Sequence, residues 1–360
     1  MARKIAFVGG GTMGPTAPLL ALHDYMARQN PRDEFVWVGT KEGPERMPVE
    51  SRGIPFVAIP SAKIPRYLTQ KLFTWPFDYL KAVHAAKSFL NQHKPDIIIG
   101  AGGFTQVPLI RTAARRGIPC IVHQLDFEPG WSNLAVQRFC KFITTTFTYH
   151  NKKFSKCKNE KQIATPNRFA SMEIPEKKPA KEYFGFNGTM PVLLVIGGGT
   201  GSRALNQAIE SNIGKLLDRI QVLHLTGRGR STNPSEQTGY KRFEFLDRDE
   251  LLLAYSAADI VISRAGMGGI TDLATLSKPT ILVPIPNSHQ EKNTRHLPLA
   301  AIEVKESANL FEDLFKEVRR LLKNPDRRNK LGYELNTTVN TDDGKELAQI
   351  VERYLPEDLE

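Results

Sequence analysis

Four glycine-rich turns hold the chemistry that can be read first from this chain: Gly9–Gly14, Gly197–Ser202, Gly266–Gly269 and Gly100-Ala101-Gly102-Gly103. A strand that ends in glycines and opens into a helix leaves several backbone N–H groups unpaired at the positive end of the helix dipole, where a phosphate binds. A tight strand-to-helix turn alone accounts for any one of them. Four such turns at strand C-terminal ends point to a ligand, because that edge is where open α/β sheets bind.

The first turn satisfies GxGxxG with Gly9, Gly11 and Gly14. The next strand, however, ends Val38-Gly39-Thr40, with no acid at its tip to hold a pair of ribose hydroxyls, which counts against NAD. Neither the first nor the second loop continues into GK[ST], so the Walker A phosphate clamp is missing. Cys120, Cys140 and Cys157 are odd in number and lack CxxC spacing, which points away from a disulfide framework or a zinc site and towards a reducing compartment.

These turns need strands beneath them. Apolar or β-branched runs predict strands at Ile5–Val8, Glu34–Val38, Pro55–Ile59, Asp96–Ile99, Cys120–His123 and Phe142–Thr146. A second set follows at Val192–Ile196, Gln221–Leu225, Phe243–Leu246, Ile260–Ser263 and Thr280–Pro284. Helical stretches such as Pro18–Gln29 and Phe77–Gln92 alternate with them, the pattern of α/β units with parallel sheets. Phe7-Val8-Gly9-Gly10-Gly11-Thr12 is echoed by Val195-Ile196-Gly197-Gly198-Gly199-Thr200, so the reading is two similar domains. A basic, Pro-punctuated stretch from Asn151 to Lys181 lies between them. The expected division is 1–163, 164–345 and a last helical segment, 346–360, free to pack back on the first domain.

The length of 360 residues suits two domains, and a 41% hydrophobic, 24% charged composition is that of a globular protein. The apolar run after Met1-Ala2-Arg3-Lys4 is too short for a signal peptide, and no stretch of about 18 apolar residues exists to span a bilayer. A net charge of +11 favours an acidic partner: nucleic acid, anionic lipid or a phosphorylated substrate. RNA-binding motifs and a helix-turn-helix pattern are absent, which argues against nucleic acid.

Taken in order, the glycine turns and their neighbours resemble the MurG family of glycosyltransferases from Val8 to about Asn293. Gly10–Pro18 resembles GGTGGHxxP, GAGGFTQVP at Gly100–Pro108 resembles GxGGYVSGP, and HQLDFEPGWSN at His123–Asn133 resembles HEQNAVPGxxN. In the second half Ala164–Arg168 resembles GNPVR and GGGTGSRALN at Gly197–Asn206 resembles GGSQGARxLN. Ser263–Gly266, Asp272, and His289-Gln290 with Asn293 resemble SRAG, its acidic residue and HQxxNA.

The resemblance implies a GT-B fold: two Rossmann-like, doubly wound parallel-sheet domains with a cleft between them. The implied reaction is inverting, metal-independent transfer of N-acetylglucosamine from UDP-N-acetylglucosamine to the polyprenyl-diphosphate-linked muramyl-pentapeptide acceptor of peptidoglycan synthesis, without a cofactor. On the first domain it assigns Thr12, Met13, Gly14, Gly102, Gly103 and Phe104 to the acceptor. On the second it assigns the donor to Gly199, Thr200, Gly201, Leu246, Gly266, Met267, Gly268, Asp272, Gln290 and Asn293, with Arg168 neutralising the departing diphosphate. Of these, Gln290 and Asn293 would contact the sugar; His289 beside them is either part of that motif's function or no more than a buried, hydrogen-bonded histidine.

Among the departures from the motifs are Met13, Pro15, Gly199, Thr200 and Asp126. Pro15 stands where the family has its first-loop histidine, and proline supplies neither a side-chain base nor a backbone donor. The expected base is Asp126, with His123 and Glu128 as the next candidates. A non-catalytic nucleotide-sugar-binding paralogue and a GT-B transferase acting on another glycolipid are the competing readings.

The segment Lys63–Phe77, with Lys63, Arg66, Lys71, Trp75 and Phe77 and the nearby Lys81 and Lys87, mixes cations with large apolar groups. That is the make-up of an interfacial patch on an anionic leaflet; a core helix with solvated lysines has the same composition. The location this predicts is the cytoplasm, peripheral on the inner face of the plasma membrane.

Overall fold

A computed structural model describes residues 2–61, 71–149, 153–199, 201–230 and 237–356, and side chains in these ranges except those of 71–73. Lys63, Arg66, the Lys71 side chain and Thr200, named above, lie outside what is described. The chain divides into two compact units, Met1–Arg168 with Asp342–Glu360, and Phe169–Thr341.

Unit 1 is built on seven strands: β1 (Lys4–Val8), β2 (Glu34–Gly39), β3 (Phe56–Ala58), β4 (Ile97–Gly100), β5 (Cys120–Gln124), β6 (Phe142–Thr145) and β7 (Glu160–Gln162). They pair in parallel in the order β3-β2-β1-β4-β5-β6-β7. The inner strands are continuous apolar runs, as Ile97–Ile99 is, because helices cover both faces of a parallel sheet. One face packs Ile5, Phe7, Leu19 and Leu22, the other Val8, Val38, Ile98 and Leu109.

The basic stretch from Asn151 is more than a linker. It contributes β7 and the two-residue β8 (Thr165–Pro166), then the helix Lys177–Tyr183. An edge strand needs no apolar face, so Glu160-Lys161-Gln162 left no periodic signal. The first helix runs Met13–Gln29, five residues earlier than its apolar pattern. Pro15 is its third residue, where backbone N–H groups have no intrahelical acceptor in any case.

Unit 2 holds β9 (Val192–Ile196), β10 (Gln221–Leu225), β11 (Tyr240–Phe243), β12 (Ile260–Arg264), β13 (Thr280–Val283) and β14 (Ile302–Glu303), parallel in the order β11-β10-β9-β12-β13-β14. β11 lies three residues before the expected Phe243–Leu246. The side chain that fills the core is Tyr240, whereas Phe245 is exposed and Asp247 begins the next helix with a reciprocal capping box to Glu250. A last short strand, β15 (Thr341–Asp342), pairs with β8, and the helix Lys345–Glu352 follows it.

Candidate active site

In an open parallel sheet the binding crevice forms where the strand order reverses. In unit 1 that point lies between β1 and β4, and in unit 2 between β9 and β12. All four glycine turns follow these four strands. In unit 1 the two turns touch backbone to backbone: a Cβ on Gly103 would sit 2.8 Å from the Gly10 carbonyl oxygen, and its φ of +88° favours glycine besides.

Glu45, fully buried, fastens the first turn. Its carboxylate accepts from the Thr40 N–H at 2.7 Å, the Thr40 hydroxyl at 2.5 Å and the Gly11 N–H at 3.1 Å. A side chain on Gly10 or Gly43 would strike that carboxylate. One donor of the turn, the Gly11 N–H, is therefore occupied from within. Thr12 is exposed, while Met13, Gly14, Gly103 and Phe104 are half-buried and Gly102 is buried. The Pro15 ring covers Gly102, where a Cβ would meet Pro15 Cγ at 3.4 Å and Asn133 Oδ1 at 3.9 Å.

The three candidate bases separate sharply. His123 is fully buried at the end of β5, with Nδ1 3.0 Å from the Thr144 hydroxyl and Nε2 3.5 Å from that of Thr146. Burial holds its pKa at about 3, so the ring stays neutral and braces β5 against β6. A base enclosed in this way cannot reach an acceptor hydroxyl. Asp126 and Glu128 lie half-buried on the loop after β5, the latter with its carboxylate 3.9 Å from the Lys153 ammonium.

In unit 2 the turn after β9 is shaped by close packing. Gly201, at φ +70°, rests on the Thr226 carbonyl, which any Cβ there would hit. Gly199 is exposed beside it. Ser202 caps the helix Arg203–Glu210 by accepting from Leu205 N–H at 3.3 Å. Arg264, buried at the end of β12, donates to the Ser202 hydroxyl through Nε at 3.0 Å and Nη2 at 2.5 Å, with Glu306 2.5 Å away to balance its charge. The two turns of this unit are thereby tied together.

Gly266 caps the helix Met267–Thr275, which carries the buried Asp272 and the half-buried Gly268; Met267 is buried. Asn293 is fully buried and donates to the Ala265 carbonyl at 3.1 Å, and the amide oxygen of Gln290 accepts from Ile285 N–H at 3.1 Å. A Cβ on Gly266 would lie 3.7 Å from Gln290 Nε2, so both amides stand against this turn. His289 is exposed, which removes the buried-histidine reading. Leu246 is buried just after β11, and Arg168, half-buried, ends unit 1. Among the described residues no group of three or more His, Cys, Asp or Glu is arranged to hold a metal ion, and no helix is long and apolar enough to cross a membrane.

His224 is a second enclosed imidazole, 2.9 Å from the Tyr240 hydroxyl and 3.1 Å from Asn206 Oδ1, with burial lowering its pKa to about 4. An unfolded chain protonates both rings near pH 6.5, so between that value and about 3 to 4 it takes up protons the folded units refuse. Stability then falls as pH drops through this window. At pH 5 each ring is expected to cost roughly 2 kcal/mol. Urea midpoints measured at pH 7 and pH 5 should fall further for the wild type than for His123→Gln or His224→Gln; an equal fall in all three proteins would show that the rings are not the cause.

Three structurally central residues escaped the motif comparison, although the motifs themselves contained the signal. Gln106 stands on the serine of GxGGYVSGP, Gln124 on the glutamate of HEQN and Ser202 on the alanine of GGSQGAR. The role of Glu45 could not be read in this way, because it depends on Gly11, far from it in sequence.

Residues 5–145 match the glycosyltransferase family 28 N-terminal domain and residues 192–347 its C-terminal domain. A protein from Nocardioides sp. is 33% identical over 97% of both chains, and one from Clostridium botulinum is 32% identical over 98% of this chain and 99% of its own. Both are named UDP-N-acetylglucosamine–N-acetylmuramyl-(pentapeptide) pyrophosphoryl-undecaprenol N-acetylglucosamine transferase.

The chain belongs to the MurG family of glycosyltransferases. Among solved structures, MurG of Acinetobacter baumannii superposes with a TM-score of 0.73 at 21% identity, covering 98% of this chain and 99% of that one. The glycotransferase of kitacinnamycin gives 0.69 at 17% identity, covering 99% and 100%. At these identities the likeness concerns the fold, which is GT-B, with its two parallel-sheet units. In this MurG-family chain the glycine turns sit at both reversal points, and the first-loop histidine is replaced by Pro15.

Proposed function

We propose that the chain transfers N-acetylglucosamine from UDP-N-acetylglucosamine to the muramyl-pentapeptide pyrophosphoryl-undecaprenol acceptor of peptidoglycan synthesis, with inversion and without a metal. The observation that carries this reading is near-full-length identity to relatives of that name, with glycine turns retained at both sheet reversals. Unit 2 takes the donor. Helix N-termini after β9 and β12, at Gly199, Gly201 and Gly266–Gly268, receive the diphosphate, Asp272 holds the ribose hydroxyls, and Leu246 lies near the uracil. Unit 1 takes the acceptor against Thr12–Gly14 and Gly102–Phe104.

In the reaction the acceptor's sugar hydroxyl oxygen bonds to the anomeric carbon as the bond to the diphosphate oxygen breaks. The hydroxyl proton passes to Asp126. Phe77 and Leu80, both exposed on the helix Lys71–His93 beside the exposed Lys81 and Lys87, support a peripheral site at the anionic cytoplasmic leaflet, where a lipid-linked acceptor resides.

The test is turnover of radiolabelled UDP-N-acetylglucosamine with a soluble analogue of the lipid-linked acceptor, with UDP binding measured in parallel. Product is the expected result. UDP binding without product would overturn the reading in favour of a binding protein or a different acceptor, the alternative that Pro15 favours.

A further inference from the structure

Three amide side chains in unit 1 form one buried, directional chain. The Gly102 N–H donates to Gln106 Oε1 at 3.0 Å, Gln106 Nε2 to Asn133 Oδ1 at 2.5 Å, and Asn133 Nδ2 to Gln124 Oε1 at 2.7 Å. Gln124 Nε2 then donates to the carbonyls of Asp126 at 2.7 Å and Glu128 at 3.2 Å, while its Oε1 also faces the Gly130 N–H at 3.4 Å. Gln106 is 0%, Gln124 2% and Asn133 3% exposed, so water does not compete for these bonds.

Both ends of the chain are backbone groups with fixed roles: an N–H can only donate and a carbonyl can only accept. The orientation of all three amides follows from that, with no freedom to flip. The glycine turn after β4 is thus wired to the loop Asp126–Gly130 after β5, and Gly100 is bare where a Cβ would press on Gln106 Oε1, 2.5 Å away. A carboxylate at 106 or 133 keeps the size of the amide but can only accept, so it stops the chain at that link.

We propose that Gln106, Asn133 and Gln124 are positioning residues for the transfer, setting the Asp126–Gly130 loop, and with it the Asp126 carboxylate, against the acceptor held by the Gly102–Gly103 turn. This rests on the assignment of unit 1 to the acceptor. The amides touch no substrate. They act by holding the loop backbone, and displacing a reacting group by about 1 Å is enough to cost about 10²-fold in rate.

The experiment compares Asn133→Asp and Gln106→Glu with the wild type in the full chain, by steady-state turnover and by backbone amide hydrogen exchange. Each variant is expected to lose about 10²-fold in kcat, with KM for UDP-N-acetylglucosamine unchanged. The double variant should be no worse than the singles, because the chain acts as a unit. Exchange at the Gly102 and Gly130 N–H groups should accelerate together while that of β1 and β4 holds, which separates loop release from general unfolding.

Retained kcat in Asn133→Asp, or unchanged exchange at Gly130, would overturn the proposal. If the wild type itself forms no product, the acceptor assignment fails, and exchange alone decides whether the amide chain sets the loop.

Discussion

Asp126→Asn is expected to lower the rate of sugar transfer by about 10²–10⁴-fold, the usual contribution of a general base, with UDP affinity unchanged. The substitution removes a charge and preserves shape. The loop is held by its backbone, through Gln124 to the Asp126 and Glu128 carbonyls and through the Tyr149 hydroxyl at 3.4 Å from the Asp126 carbonyl. Loss of turnover in a folded, UDP-binding variant therefore reports the carboxylate itself. Single-turnover rates with saturating donor would check it, and an unimpaired rate would move the role to Glu128, on the same loop. His123 is no substitute, since both its ring nitrogens are enclosed by threonine hydroxyls.

Removing residues 342–360 is expected to abolish the cooperative fold of unit 1. Leu347, Ile350 and Val351 are buried against Ile5, Phe7, Leu19 and Leu22, and burying three such side chains is worth about 5–9 kcal/mol. That is comparable to the whole stability of a domain, about 5–15 kcal/mol. The segment also closes a charge cluster. Arg3 donates to Asp33 at 2.8 and 2.7 Å and to Glu352 at 2.6 Å, and these carboxylates drive the Arg3 pKa further up. Asp342 caps the returning helix through the Gly344 and Glu346 N–H groups, both at 2.8 Å, and Gly344 lies so close to Leu22 that a Cβ would come within 2.9 Å of its Cα.

Thermal unfolding followed by far-UV circular dichroism would check this, with protection in β9–β13 as the internal control. A truncated chain that melts within a few degrees of the wild type would show that the segment contributes little. Leu347→Ala, at about 2–5 kcal/mol, offers a graded version of the same test.

The sequence by itself determined the α/β class, the repeated glycine turns, most of the strands and the family. Those features are local: an apolar run bounded by glycines is legible without knowing its neighbours, as at Ile97–Gly103 and Val192–Gly201. The tertiary structure alone decided which polar residues are enclosed. His123 carries a base's chemistry in the sequence, and only the approach of Thr144 and Thr146 from the adjacent strand makes it a brace. Only the fold shows that the Asn293 amide donates to the Ala265 carbonyl, against the turn after β12. Glu45 joins Gly11, Gln106 joins Asn133, and Arg3 joins Glu352 across most of the chain, contacts that no short window contains. β7 and β11 went unread or misplaced for the same reason, because an edge strand's residues answer to neighbours in the sheet and not to a periodic pattern of their own. Burial and hydrogen-bond partnership are properties of what the fold brings together, so they could be seen only once it had formed.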